Sequence, residues 1–382
     1  MGFKERINDL RLWMESGGVD MVVLSDGEAA RNPSIRYYCG HPQDAQLFIG
    51  ANGKTLLTPW DEHLAARCAQ ADEIIPYTNF RLDPVEACVQ AAHYFGLKAG
   101  GVIEIPAQTT HLKYLLYVEK LFGFSVRCGG ADAFIKKRRA IKDAGEIAIL
   151  KDAAVITDRI INAVEKGVID GSIKTEADAA LFIEAESRAA GCEGASFDTL
   201  AAGGGRSFGI HAFPPYTAGP FADKGLSILD FGVRFKGYAT DVTMTFARGP
   251  LSKGPADQIA LVKEAFSLVI ALLNKEIPIP DRFLLEEGVL SSRGAALFAE
   301  EFFKKHERFM PHGLGHGIGL EVHEEPFLSA RAEKESPLAP GMTFTVEPGL
   351  YSNEDGGCRY ENDVLFTQNG AEILTHSKIV YL

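Results

Sequence analysis

Two aspartates, Asp230 and Asp241, lie in a stretch whose sequence favours two strands joined by a tight loop. The residues beside each aspartate are apolar or β-branched, as strands prefer, and the loop is predicted around 235–237. With the turn centred between 235 and 236, the two aspartates fall directly across from each other, with Cβ atoms roughly 5 Å apart. Ionised carboxylates that close repel each other, and burial raises the cost. The pattern therefore indicates either a bound cation between them or two solvated hairpin aspartates.

Two histidines, His312 and His316, stand four residues apart in the glycine-rich segment 311–319. That is the spacing of paired zinc ligands on a helix. Every second residue from 313 to 319 is glycine, however, and each glycine costs about 1 kcal/mol in a helix. An extended or irregular strand is therefore predicted, in which the two histidines need not share a metal.

Two glutamates, Glu347 and Glu361, complete a set of acidic residues in apolar surroundings. Phe344 and Val346 alternate with polar residues at strand period, and Glu361 lies in a second apolar strand beyond the polar loop 352–357. A second hairpin would bring the two glutamates together. Four carboxylates and a histidine form a ligand set that suits two divalent ions such as manganese, cobalt or zinc.

The order of these motifs resembles the family of aminopeptidase P, prolidase, methionyl aminopeptidase and creatinase, whose shared catalytic domain has the pita-bread fold. Segment 32–40 is also similar to a motif in the N-terminal domain of aminopeptidase P and prolidase. The metal ligands that the resemblance implies are Asp230, Asp241, His316, Glu347 and Glu361. By the same resemblance Asp241 and Glu361 bridge both ions, Asp230 holds one ion, and His316 with Glu347 holds the other.

The resemblance also gives roles to residues beyond metal binding. Glu347 would move protons, His323 would hydrogen-bond the scissile carbonyl or its oxyanion, and His312 would form the wall of the substrate pocket. His211 would contact substrate, although a core or hairpin histidine is the alternative. Arg359 shares a predicted strand face with the last ligand, where it could neutralise and orient the carboxylates; the alternative is a surface arginine.

The chain departs from the family pattern at two positions. Many relatives have arginine where this chain has Met244, and aspartate where it has Asn362. Neither position is an implied ligand. Both lie close to ligands in the chain, so the metal affinity could differ from that of relatives.

Composition limits the partners and the compartment. The net charge of −12 argues against nucleic acid and anionic membranes, and 46% apolar with 24% charged residues is typical of a soluble globular protein. The six cysteines are scattered, which predicts free thiols in a reducing cytoplasm. The first residues lack an apolar signal core and no run is long enough to span a bilayer, so a cytoplasmic protein is expected.

The 382 residues are enough for two domains. Alternating strands and helices predict an N-terminal α/β domain over 1–135. The resemblance implies that this domain is creatinase/prolidase-like and that a pita-bread α+β catalytic domain follows over 136–382. The basic run 134–139 between them is predicted to be a solvated linker edge rather than a nucleic-acid contact. Helices are predicted at 4–16, 60–70, 84–95, 109–121, 144–166, 175–190, 255–275 and 283–305, and N-terminal strands at 21–24, 47–49, 55–57 and 102–105.

The resemblance implies a dinuclear metallopeptidase that hydrolyses the bond between an N-terminal residue and proline, as aminopeptidase P or prolidase does. A methionyl aminopeptidase typically lacks so large an N-terminal domain, and a metal-free creatinase-like amidinohydrolase has lost ligands that this chain keeps. Intact ligands and His323 also argue against a non-catalytic binding protein. The implied cofactors are two divalent ions, manganese first with cobalt and zinc as alternatives. The implied partners are peptides with proline at the second position and a second copy of the chain, as a homodimer.

Overall fold

The computed structural model describes residues 2–286, 288–332 and 335–382. The chain divides between Arg138 and Arg139 into two compact units. Among the described residues, none of the helices combines the length and the apolar character needed to cross a membrane.

The N-terminal unit is built on a six-stranded sheet of mixed direction. Its strands are β1 (Met21–Asp26), β2 (Ala45–Gly50), β3 (Thr55–Pro59), β4 (Glu73–Ile74), β5 (Val102–Ile105) and β6 (Ser125–Cys128). Their order in the sheet is β4-β3-β2-β1-β5-β6, with β1–β2 and β2–β3 antiparallel and the other neighbours parallel. The first six helices are α1 (Phe3–Gly17), α2 (Ser34–Cys39), α3 (Glu62–Cys68), α4 (Pro84–Tyr94), α5 (His111–Lys120) and α6 (Gly130–Ala140). The helices and strands predicted for this part of the chain are confirmed within a few residues.

The prediction that the basic run 134–139 is a linker edge is wrong, because these residues form part of α6, although Lys136, Lys137 and Arg138 are exposed as predicted. Phe134 stacks on Trp13 of α1 with ring centroids 5.5 Å apart, and Arg138 Nε lies 2.7 Å from Asp9 Oδ2. Arg139, at the end of the run, is buried at 3% exposure. The run is therefore a helix with an apolar and ion-paired face, which its charge alone did not reveal.

The C-terminal unit combines four helices with four small sheets in its described residues. The helices are α7 (Ala144–Asp170), α8 (Glu176–Ala189), α9 (Lys253–Leu273) and α10 (Ser292–Lys305). The strands of the first half are β7 (Gly194–Ala195), β8 (Leu200–Ala202), β9 (Gly225–Phe231), β10 (Val233–Phe235), β11 (Tyr238–Ala239) and β12 (Val242–Arg248). Those of the second half are β13 (Gly315–Gly317), β14 (Glu324–Leu328), β15 (Thr343–Val346), β16 (Gly349–Ser352), β17 (Gly356–Arg359), β18 (Asn362–Thr367), β19 (Gly370–Ile373) and β20 (Ile379–Tyr381).

The sheets are β11-β10-β7, β20-β12-β9-β8, β14-β13-β15-β18-β19 and β16-β17. Helices cover both halves with apolar side chains. Ile161 of α7 and Leu229 of β9 belong to one buried cluster, and Val262 of α9 and Phe344 of β15 belong to another. An isolated bridge between Thr243 and Glu361 connects the two halves at the point where the acidic residues meet.

The helix predicted over 283–305 begins later, at Ser292. Ser291 caps it, with Oγ accepting the Gly294 amide, and Phe283 lies in a short 3₁₀ turn. The Ser291 amide donates back to the Phe283 carbonyl, so the chain folds over the start of α10. The first residues of the predicted helix, 283–286 and 288–291, therefore form the end of a 3₁₀ turn and an irregular segment. Glu287, also within the predicted helix, lies outside the described residues.

The aspartate hairpin forms, but its register differs from the prediction. Strands β10 and β11 pair Phe235 with Tyr238, and the loop is Lys236-Gly237 with φ of +48° and +87°. Two central residues with positive φ are typical of a type I′ hairpin turn. The turn centre lies between 236 and 237, so Asp230 pairs with Thr243 and not with Asp241. The two aspartates are diagonal neighbours on one face rather than direct partners.

The predicted glutamate hairpin is confirmed. Strands β15 and β18 pair Val346 with Asn362, and strands β16 and β17 pair Gly349 with Arg359. Both ladders share one register, which places Glu347 and Glu361 across from each other in the gap between them.

Candidate metal centre

The five predicted metal ligands come from different strands that meet in the C-terminal unit. Each lies on a strand or next to the end of one. Asp230 is in β9, Asp241 precedes β12, His316 is in β13, Glu347 follows β15, and Glu361 precedes β18. Strand ends hold side chains in fixed directions, which a site assembled from distant segments requires.

Three of these residues converge closely. Ligand atoms of Asp241, His316 and Glu361 all lie within 4.8 Å of one another. His316 Nε2 is 3.5 Å from Asp241 Oδ2 and 3.7 Å from Glu347 Oε1. The structure therefore brings His316 together with the carboxylates of Asp241, Glu347 and Glu361. Asp230 is connected to them through Arg359.

The electrostatics of this cluster fit a bound cation. Asp241 and Glu361 are 5% and 2% exposed, and Oδ1 of both Asp230 and Asp241 is buried without a hydrogen-bond partner in the described part of the chain. Burial, and then the charge of Glu361, raises the pKa of Asp241 well above its ordinary value. Burial and then Glu347 do the same for the pKa of Glu361. Crowded carboxylates with unused oxygens are suited to divalent metal ions.

The imidazole of His316 is oriented for metal binding. Its Nδ1 lies 3.2 Å from the Gly317 carbonyl, so Nδ1–H donates to that oxygen and leaves the Nε2 lone pair facing the carboxylates. Burial lowers the pKa of His316 to about 4, which keeps the ring neutral. A neutral ring with a fixed tautomer is the form that binds a metal.

A buried arginine and a threonine hold the carboxylates in place. Thr243 Oγ1 donates to Glu361 Oε2 at 2.6 Å and accepts from Arg359 Nε at 2.8 Å. Arg359 Nη2 donates to Asp230 Oδ2 at 2.6 Å. Arg359 is 2% exposed, so the alternative of a surface arginine is wrong. Its guanidinium contributes positive charge directly to the acidic cluster.

Tyr351 is a residue of this site that sequence reasoning missed. Its hydroxyl accepts from Arg359 Nη1 at 2.8 Å and donates to His312 Nε2 at 3.0 Å, while His312 Nδ1 donates to the Gly313 carbonyl at 2.8 Å. A side chain at Gly349 would lie 2.6 Å from the Tyr351 hydroxyl. The available signal was the strand alternation 347, 349, 351, which puts the tyrosine on the face of the glutamate.

His312 is consequently held as a neutral ring beside the carboxylates. Burial, followed by the charge of Arg359, lowers its pKa to about 4, and His211 acts in the same direction. His312 Nδ1 is 3.9 Å from Glu347 Oε2. The structure thus places His312 at the edge of the cluster, with His211 near enough to influence it.

The two remaining predicted histidines are exposed. The ring of His323 lies 4.3 Å from that of His316, between centroids, and its side chain reaches solvent. His211 lies in an exposed segment that is attached to the site where Arg359 Nη1 donates to the Ile210 carbonyl at 3.2 Å. Both therefore lie where an incoming molecule can contact them.

The two departures from the family pattern have structural partners of their own. Met244 is fully buried in the apolar cluster under β12. Asn362 is 1% exposed, and its Oδ1 accepts from the Ser377 amide at 2.6 Å. The Met244 side chain is thus held by apolar packing, and the Asn362 side chain by its hydrogen bond to the C-terminal segment.

Comparison with known proteins identifies the family. Residues 148–368 match the model of metallopeptidase family M24. The chain belongs to this family. Residues 6–141 match the creatinase/prolidase N-terminal domain, so the predicted order of a creatinase-like domain followed by an M24 pita-bread domain is confirmed. As an M24 member the chain is a metallopeptidase that uses divalent metal ions.

Several M24 relatives match over much or all of the chain. The Xaa-Pro dipeptidase of Pyrococcus horikoshii is 27% identical over 98% of this chain and 97% of its own length. The peptidase YqhT of Bacillus subtilis is 34% identical, with 64% of each chain covered. The structure of an Xaa-Pro dipeptidase from Bacillus anthracis superposes with a TM-score of 0.82 at 26% identity over the full length of both chains. An X-Pro aminopeptidase from Thermotoga maritima gives 0.78 at 26% identity, covering 95% of this chain and 98% of its own.

Proposed function

We propose that this M24 peptidase removes the N-terminal residue from peptides that carry proline at the second position. The observation that carries the proposal is the match to Xaa-Pro peptidases over both units, at 27% identity across 98% of the chain and with a TM-score of 0.82 in structure. The N-terminal unit argues against a methionyl aminopeptidase, which typically lacks so large an N-terminal domain. The complete set of five ligand residues argues against a metal-free amidinohydrolase.

In this proposal five side chains hold two divalent ions: Asp230, Asp241, His316, Glu347 and Glu361. Bound divalent ions polarise a peptide carbonyl and lower the pKa of a water molecule toward neutrality. The free α-amine of a peptide substrate is expected to suit this acidic, metal-lined pocket. Cleavage is therefore expected at the first peptide bond.

Glu347 is proposed to carry protons between water and the departing nitrogen. Burial opposes the charge of its carboxylate and raises its pKa. A positioned carboxylate of this kind can accept a proton from water and return it to the departing nitrogen.

His323 is proposed to stabilise the oxyanion that forms when the carbonyl is attacked. Its exposed ring lies beside His316, at the open side of the cluster. A donor placed where negative charge develops acts mainly on the transition state.

His312 and His211 are proposed to contact the substrate. The hydrogen bonds of His312 to Tyr351 and to the Gly313 carbonyl occupy both ring nitrogens, which leaves its ring faces for apolar contact. Such a face suits a proline ring, which carries no N–H and packs as an apolar group.

Manganese as the preferred metal, a homodimer and a cytoplasmic location complete the proposal. Elemental analysis of the purified protein, and activity after reconstitution with manganese, cobalt or zinc, would identify the metal. The assembly is decided by sedimentation velocity, and the location by fractionation of cells that produce the protein.

A panel of four substrates tests the proposed activity: Xaa-Pro, Xaa-Pro-Yaa, Met-Ala-Ser and creatine. We expect turnover of the proline peptides, poor turnover of Met-Ala-Ser and none of creatine. Cleavage of the tripeptide as well as the dipeptide favours an aminopeptidase P, whereas the dipeptide alone favours a prolidase. Preferred turnover of Met-Ala-Ser, or turnover of creatine without metal, would overturn the proposal.

A further inference from the structure

Four charged residues, three of them buried, form a cluster at the segment that carries His323. The charge cluster consists of Arg139, Lys142, Glu321 and Glu324. The side chains of Arg139, Lys142 and Glu324 are 4%, 1% and 5% exposed, and that of Glu321 is 38% exposed. The reaction steps proposed above use none of the four.

Within the charge cluster each oxygen of Glu324 has its own cation. Lys142 Nζ lies 2.7 Å from Oε1, and Arg139 Nη2 donates to Oε2 at 2.5 Å. Burial alone would raise the pKa of Glu324, but Lys142 and then Arg139 lower it below the ordinary value, so this carboxylate is ionised.

Arg139 also restrains the chain on the other side of His323. Its Nη2 donates to Glu321 Oε2 at 2.8 Å. The residues two positions before and one position after His323 are therefore attached to one buried guanidinium. Such a clamp limits the rotation of the intervening backbone.

The same clamp closes the loop between the two histidines of the site. Gly317, next to His316, pairs with Glu324, and a bulge interrupts the ladder between His316 and Gly317. A side chain at Gly319 would lie 2.2 Å from Glu324 Oε1. The loop 318–323 thus turns tightly around the Glu324 carboxylate and returns to bring the rings of His316 and His323 to 4.3 Å.

The cations of the charge cluster are themselves fixed to a ligand-bearing strand. The Lys142 amide donates to the Gly341 carbonyl at 2.8 Å, and Ile141 bridges Met342, the residue before β15. Strand β15 leads directly into Glu347. The clamp therefore sets the position of His323 relative to the metal ligands and not only relative to its own loop.

We propose that Glu324 is a positioning residue for His323, acting through the charge cluster. Buried ion pairs are weak devices for stability, because the cost of desolvation offsets much of the attraction, and one attested use is to fix a particular geometry. The inference rests on the proposed function, since it assigns Glu324 to the step that His323 performs.

The test compares Glu324→Gln with the unaltered enzyme after full metal loading. Glutamine keeps the shape but removes the charge that both cations need. We expect kcat to fall about 10–100-fold, the usual range for partners of site residues, with KM within about twofold and with unchanged metal content. Leu272→Ala, in the buried face of α9, serves as a control for lower stability alone and should retain kcat at temperatures where it is folded.

A double-mutant cycle separates positioning from general damage. In a His323→Ala background, Glu324→Gln should lower kcat by less than about twofold, because residues that act as one unit are strongly non-additive. A full additional loss in that background, or a profile equal to that of Leu272→Ala, would overturn the proposal.

A spectroscopic measurement tests the position of His323 independently of enzyme activity. In protein labelled with ¹⁵N-histidine and loaded with diamagnetic zinc, the His323 ring signal, assigned by its loss in His323→Ala, should shift in Glu324→Gln while the signal of His41 stays in place. An unmoved His323 signal would overturn the proposal. If the unaltered enzyme cleaves no Xaa-Pro peptide, the proposed function fails, and this measurement still decides whether Glu324 positions His323.

A milder variant covers the case in which Glu324→Gln does not fold. Glu321→Gln removes only the more exposed attachment and leaves the pairs of Glu324 with both cations. It should lower kcat about two- to tenfold without changing KM or metal content, less than the usual 10–100-fold for partners of site residues, because the pairs of Glu324 remain. If Glu324→Gln is unfolded and Glu321→Gln behaves as the unaltered enzyme, the charge cluster is structural and the proposal is wrong.

Discussion

Arg359 and Asp230 are joined by a hydrogen bond of 2.6 Å between Nη2 and Oδ2, although they come from opposite halves of the C-terminal unit. The guanidinium also bonds to Thr243, which in turn holds Glu361. One buried cation thereby orients proposed ligands from both halves. It offsets part of their charge but binds no substrate atom in the proposed reaction.

The first prediction contrasts a proposed bridging ligand with this arginine. Asp241→Asn should approach inactivity, because it removes a charge that both ions need. Arg359→Ala should cost about 10–100-fold in kcat/KM, as for other residues that support ligands. Metal content and kcat/KM measure both effects, with Asp257→Asn on the exposed side of α9 as the control. Equal defects in two well-folded variants would contradict these roles.

The second prediction concerns metal removal. Chelation should abolish activity, and manganese or cobalt should restore it, because the buried carboxylates lose their counter-charge without metal. Metal should also raise the unfolding temperature, since binding at 100 times Kd contributes about 2.7 kcal/mol per site. Thermal unfolding with and without metal measures this, and Asp241→Asn should lose most of the increase. No metal-dependent activity and no thermal shift at any loading would refute a metal centre here.

The third prediction concerns His323. His323→Ala should lower kcat about 10²–10³-fold, as the loss of one oxyanion donor does, with little change in KM. The oxyanion exists only near the transition state, so ground-state binding should be nearly unaffected. Steady-state kinetics on an Xaa-Pro substrate measure both constants, and His63→Ala, with a 92% exposed side chain, is the control. A raised KM with unchanged kcat would instead assign His323 to substrate binding.

The fourth prediction concerns Tyr351. Tyr351→Phe keeps the ring but removes the hydroxyl that bonds both Arg359 and His312. A hydrogen bond to a charged group contributes about 1.5–3 kcal/mol, so kcat/KM should fall roughly 10–100-fold. Tyr381→Phe, at an exposed position, should have no effect. An unchanged kcat/KM would mean that the orientation of His312 does not depend on this hydroxyl.

The fifth prediction concerns pH and His41 in the N-terminal unit. His41 is 1% exposed, its Nε2 has no hydrogen-bond partner in the described part of the chain, and burial lowers its pKa below 6.5. Below pH 6.5 the unfolded chain therefore binds a proton at this residue more readily than the folded chain. Stability should fall as the pH decreases from 6.5 toward the folded pKa. Between pH 7 and 5, the unfolding temperature of His41→Gln should fall less steeply with decreasing pH than that of the unaltered protein. Identical slopes would mean that His41 does not cause this loss of stability.

The sequence by itself determined the local parts of the molecule. Strand alternation around Phe344 and Val346 and the glycines near His316 specify extended segments, because side-chain period and backbone freedom are properties of short stretches. The ends of α7 follow from equally local signals, a capping Asp143 and a glycine with φ of +78° at 171. The motifs that carry the proposed ligands could be recognised from the sequence because they too are short and local.

The tertiary structure decided what depends on contacts between distant segments. The register of the aspartate hairpin is set by the turn at Lys236 together with the pairing of β10 with the distant strand β7. A shift of one residue in the turn centre changes the partner of Asp230. The late start of α10 and the buried end of α6 depended on what packs against them.

The pairing of Arg139 with Glu324 joins residues 185 apart in the chain. Tyr351 likewise bonds to Arg359 of β17 and to His312, which lies 39 residues before it. Local sequence patterns carry no information on such pairings. Their free energy depends on burial and on counter-charges that only the folded chain brings together.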